Sequence, residues 1–62
     1  MDPRITVRPD ATYLGDSVYL QPSDHEANAW WLFTYNGIKV QDQIYLEWEV
    51  ASRLRQRLEN KQ

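Results

Sequence analysis

The chain has 62 residues, no cysteine, one histidine and a formal net charge of −2. That length holds one domain, and the composition excludes a disulfide, a thiolate metal site and a multi-histidine zinc site. It also argues against general nucleic-acid binding, which needs a basic surface. A chain this short buries only ~60% of the surface its unfolded form exposes, and its core rarely supplies more than ~3–5 kcal/mol. A homo-oligomer is therefore expected. No apolar run approaches the ~20 residues that span a bilayer, and Met1-Asp2-Pro3-Arg4 lacks the layout of a signal peptide. The expectation is a cytoplasmic protein with no membrane partner.

Residues 1–10 read as an N-terminal arm or edge strand, because Arg4-Ile5-Thr6-Val7-Arg8 alternates polar and apolar and Pro9-Asp10 ends it. Residues 13–46 read as the sheet region. Tyr13-Leu14 runs into the turn signal Gly15-Asp16, and 17–21 form a strand that Pro22 stops. Residues 22–28 are polar and read as a hairpin loop. Trp30-Trp31-Leu32-Phe33-Thr34-Tyr35 is rich in β-formers and closes on Asn36-Gly37, so it reads as the central strand, antiparallel to 17–21. Ile38 to Gln43 reads as a polar connection, and Ile44-Tyr45-Leu46 as a third strand or the lead-in to a helix. From residue 47 to about 60 the period changes: Val50, Leu54 and Leu58 recur every four residues with Ala51 beside them, and no glycine or proline interrupts. The expected fold class is α+β, a small antiparallel sheet built on the hairpin 17–21/30–35 with short flanking strands, followed by one C-terminal α-helix covering one face.

The central strand does not alternate as a half-buried strand should. Trp31, Phe33 and Tyr35 fall on one face and Trp30, Leu32 and Thr34 on the other. If the helix covers one face, the other carries an aromatic row joined by Tyr19. Three uses of that row stand open: a subunit interface, a surface for a partner protein, or a stacking platform for a planar ligand such as a nucleobase. Charge is also uneven. Residues 11–50 carry six acids against Lys39, whereas 51–62 carry Arg53, Arg55, Arg57 and Lys61 against Glu59. This pattern matches a helix dipole. Arg53 and Arg57, four apart, could also clamp a phosphate, and Arg55 lies on the Trp48 side. The candidate ligand-binding residues are thus Tyr19, Trp31, Phe33, Tyr35, Arg53 and Arg57.

No catalytic set emerges. There is no glycine-rich phosphate loop, no nucleophile elbow and no acid–base pair. Asp24-His25-Glu26 reads as a solvated hairpin tip and not as a metal site. No enzyme activity, cofactor or metal is expected.

The stretches Tyr13-Leu14-Gly15-Asp16-Ser17-Val18-Tyr19 and Ile44-Tyr45-Leu46-Glu47-Trp48-Glu49-Val50 resemble a family of very small phage and prophage proteins. That family shares a Tyr-Leu-Gly-Asp-Ser/Gly-Val-Tyr opening and an Ile-Tyr-Leu-Glu-Pro-Glu-Val entry to a closing helix. Trp48 stands where the family usually has proline, and the loop 22–28 is longer than its usual tight turn. The resemblance implies a phage origin and residence in the cytoplasm of an infected bacterial host. By analogy with other tiny phage proteins, it implies a non-catalytic accessory protein that counters bacterial immunity. Its partner would be a nucleotide immune signal, sequestered by an oligomer. Alternatively it would be a host defence protein, blocked as an anti-CRISPR blocks its target.

Overall fold

Two tight turns and one longer loop set the order of the sheet. Gly15 lies at φ +119°, a conformation that L side chains rarely adopt, and Asp16 and Ser17 follow at +51° and +67°. Two consecutive positive-φ residues make the type I′ geometry whose twist matches that of the flanking strands. The turn joins β1 (Thr12–Gly15) to β2 (Val18–Pro22). At the other end, the Asn36 side-chain oxygen accepts hydrogen bonds from the amides of Ile38 at 2.8 Å and Lys39 at 2.9 Å. With Gly37 at φ +92°, this closes β3 (Trp30–Tyr35) onto β4 (Val40–Leu46). Between β2 and β3, Ser23 N–H donates to the Ala29 carbonyl at 2.9 Å, which pins the base of the loop.

The computed structural model describes residues 4–60. Residues 1–3 of the expected arm, and Lys61 and Gln62 of the C-terminal tail, lie outside the described residues. The four strands form one antiparallel meander in the order β1-β2-β3-β4. A single helix, α1 (Trp48–Asn60), follows. The α+β class and the pairing of β2 with β3 agree with the sequence; Val18 faces Thr34 and Pro22 faces Trp30 across that pair.

One reading needs correction, and one of two alternatives is decided. The segment 38–43 is not a polar connection, because from Val40 onward it is the first half of β4. β4 is an edge strand with one neighbour, so Gln41 and Asp42 stay exposed and no apolar run is needed. Asp42 is tied to β3 through its amide, which donates to the Thr34 hydroxyl at 3.1 Å. Residues 4–8 form no strand. They are the arm, and its backbone bonds to side chains and not to a sheet edge.

α1 begins where the Ala51 amide donates to the Glu47 carbonyl at 2.8 Å. Glu49 in its first turn and Arg57 in its last oppose the helix dipole. Its packing departs from expectation. No residue of α1 is buried, and only Ala51 and Ser52 are half-buried. The helix leans on the end of β4; on the sheet face beneath it Leu46 is buried, Leu20, Trp30 and Leu32 are half-buried and Ile44 is exposed. The buried apolar side chains among the described residues are Ala29, Phe33, Val40 and Leu46.

Candidate functional site

The strand register decides which side chains share a face. Tyr19 pairs with Phe33, and Gln21 with Trp31; Phe33 pairs in turn with Gln43, and Trp31 with Tyr45. These residues, with Tyr35, form one face of the sheet. The opposite face carries Leu20, Trp30, Leu32, Ile44 and Leu46.

On the first face the aromatics pack on one another. The Tyr19 ring stacks on Phe33 at 5.6 Å between centroids and 12° between planes. It meets Tyr35 edge-on at 5.8 Å and Tyr13 at 5.1 Å. Trp31 lies 4.9 Å from Tyr45. Phe33, at 2% exposure, is the most enclosed large side chain. The aromatic row is partly its own cover: Phe33 is buried, Tyr19, Trp31, Tyr35 and Tyr45 are half-buried, and the arm crosses beside Trp31.

The arm is held by two glutamines. The Gln21 side chain is also only 2% exposed. Its Nε2 donates to the Thr6 carbonyl at 3.1 Å, and its Oε1 accepts from the Arg8 amide at 3.0 Å. Oε1 of Gln43 accepts from the Ile5 amide at 2.9 Å. A buried amide that satisfies a backbone donor and a backbone acceptor does the work of a strand neighbour. Arg8 adds ion pairs to Asp10, at 3.3 Å, and to Asp24 of the β2–β3 loop. In the same loop Glu26 accepts a 2.8 Å hydrogen bond from the Tyr45 hydroxyl. Partial desolvation pushes the Tyr45 phenol above its ordinary range; a Ser23 hydrogen bond opposes it, and the Glu26 and Glu47 carboxylates add to the rise.

Where arm and loop meet over Trp31 they enclose a half-open cavity of about 390 Å³. Arg4, Arg8, His25 and Asp24 line it with Gln21 and Trp31. A second hollow of about 580 Å³ lies on the opposite face, between Leu20, Trp30 and Leu46 of the sheet and Trp48, Leu54, Arg55 and Leu58 of α1. There the one cation, Arg55, is bound to Glu59 at 3.0 Å.

The expected site residues therefore part company. Tyr19, Trp31, Phe33 and Tyr35 do share a face, but Phe33 is core and cannot touch a ligand. Arg53 and Arg57 sit on α1, on the far side of the sheet, and line neither hollow. Arg4, Arg8 and His25, which border the cavity with Trp31, were not singled out as ligand residues. The alternation of 4–8 marked the arm but gave no sign of which face it would cross. Asp24 and Glu26 each bond a different partner, and no group of three metal-ligating side chains occurs among the described residues. No helix among them is long and apolar enough to cross a membrane. Comparison with family models, with curated protein sequences and with solved structures found no match.

Proposed function

We propose that the chain is a non-catalytic binding protein that captures a nucleotide-type ligand in the cavity beneath the arm, and that it serves a phage by sequestering an immune signal of its host. One observation carries the binding reading: an indole and two guanidiniums, with an imidazole beside them, border a single cavity. Its volume falls within the ~300–1,000 Å³ typical of small-molecule sites. Trp31 offers a base a stacking surface, and the arginines offer a phosphate bidentate donors. These arginines are Arg4 and Arg8, which replace Arg53 and Arg57 in that role. Asp24 is 72% exposed at its side chain where it meets Arg8, so an incoming phosphate can take its place at little cost. The phage setting rests on the sequence resemblance alone.

Calorimetric titration with bacterial cyclic oligonucleotides and ADP-ribose derivatives tests this reading. Binding should weaken about tenfold or more in Trp31→Ala, since stacking on one aromatic contributes ~1–3 kcal/mol. It should weaken similarly in Arg8→Ala, since a hydrogen bond to a charged group contributes ~1.5–3 kcal/mol. Added salt should lower the affinity. Absence of heat across the panel, beside a stable complex with a bacterial defence protein, would replace this reading with that of a protein-binding inhibitor.

A further inference from the structure

The ligand cavity leaves the other side of the molecule unexplained. Val50, Leu54 and Leu58 form the apolar stripe of α1, yet they are exposed, Leu54 at 40% and Leu58 at 70%. Trp48, at the start of α1 on the flank that lines the hollow, and Ile44 on the neighbouring sheet face are exposed too. The helix meets the sheet through Ala51 and Ser52, about a quarter-turn away from the middle of the stripe, so Leu54 and Leu58 border the hollow on one side and water on the other, and Val50 lies outside it. Contiguous apolar surface of this kind marks a contact site.

We infer that the stripe is covered by the same helix of a second copy, running antiparallel across a two-fold axis near Leu54. Two features of α1 fit self-pairing. The first is spacing. Val50, Leu54 and Leu58 are placed symmetrically about Leu54, so a two-fold axis there sets Leu54 against the partner's Leu54 and Val50 against the partner's Leu58. The second is charge. Glu49, Arg53 and Arg57 lie along one flank of the stripe, and none of the three has an ion pair or side-chain hydrogen bond among the described residues. An antiparallel pair sets the same flank of both copies side by side: Glu49 of each copy meets the partner's Arg57, two opposite-charge contacts against the one like-charge contact of Arg53 with its own copy at the axis, and that Arg53 keeps Glu49 of its own helix four residues away.

Size sets the strength of this contact. A helix of thirteen residues is only ~20 Å long. Alone it offers less than the ~800 Å² per partner of a standard interface, so Ile44 and Trp48 must join the contact. A dimer with a dissociation constant on the order of micromolar follows. The assembly leaves the cavity under the arm open, since that cavity lies on the opposite face of the sheet. The dimer is therefore independent of what the cavity binds.

Sedimentation velocity on the full chain, over a dilution series up to about 100 µM, tests the dimer. The wild type should move from monomer to dimer within that range. Leu54→Glu should stay monomeric while keeping its circular dichroism spectrum, because Leu54 is outside the monomer core. Glu49→Arg should weaken the dimer about tenfold or more, and Glu49→Arg combined with Arg57→Glu should restore it. The double reversal separates a specific antiparallel contact from loss of fold. A wild type that remains monomeric throughout would overturn the inference, as would a dimer indifferent to Leu54→Glu or to the charge reversals.

Discussion

The two faces of this sheet are built from similar residues and are covered in different ways. One carries Tyr19, Trp31, Phe33, Tyr35 and Tyr45, and a five-residue arm without secondary structure closes it. The other carries Leu20, Trp30, Leu32, Ile44 and Leu46, and beside a thirteen-residue helix only Leu46 is buried while Ile44 and the helix's own apolar stripe stay exposed. Length of cover does not decide the outcome. The arm is stitched down by side-chain amides that reach its backbone, and the aromatic rings beneath it already fill their own gaps. The helix approaches through a small-residue edge, and its leucines border the hollow without filling it.

Mutations at the closed face should be the most costly. Phe33→Ala should lose ~3–5 kcal/mol, the usual loss for a buried phenylalanine, read from the urea midpoint of dilute protein. If the loss were below ~1 kcal/mol, the aromatic face would not be the core.

Gln21→Leu ranks next. It leaves the Arg8 amide and the Thr6 carbonyl without their partner, a loss of ~1–3 kcal/mol. Amide exchange at Arg8 should accelerate before that of β2 and β3. Unchanged protection at Arg8 would show that the arm is held by something other than Gln21.

At the open face the expected effect is smaller. Leu54→Ala, measured below the dimerisation range, should cost less than ~1 kcal/mol, against the ~2–5 kcal/mol of a leucine in a closed core. A loss in the higher range would place the stripe inside the monomer.

The smallest effect is with pH. The Tyr45 phenol is raised in the folded chain, so the folded state holds that proton more tightly than the unfolded state. Its contribution is intact below the ordinary phenol range near pH ~10 and is lost as pH rises through the higher folded value. Alkaline titration of stability should show that decline, and Tyr45→Phe should remove it.

Much of the frame was legible in the sequence. Asn36-Gly37 and Gly15-Asp16 placed two turns, β-branched and aromatic runs placed β2 and β3, and the four-residue period placed α1. What was not legible lay in the polar residues. Gln41, Asp42 and Gln43 looked like a connection because an edge strand needs no apolar alternation. Gln21 and Gln43 looked solvated, yet they fasten the arm; nothing local in a glutamine tells a clamp from a surface residue. The aromatic face was read as open because a helix of clear amphipathicity was expected to make the only cover. Amphipathicity fixes which side of a helix is apolar but not which neighbour it meets. For the same reason Arg4 and Arg8 reached the candidate cavity unannounced, while Arg53 and Arg57 were left on the other side of the sheet.

The difference between the faces can be measured side chain by side chain, by proton relaxation with a soluble paramagnetic probe across a dilution series. In dilute protein the methyls of Val50, Leu54 and Leu58 should relax strongly while Val40, Leu46 and the Phe33 ring stay protected. As concentration rises through the micromolar range, protection should spread to Leu54 and Val50 and to no core residue. Leucine methyls of α1 as protected as Val40 at every dilution would mean that the helix is packed into the monomer, and would contradict the picture of one closed face and one open.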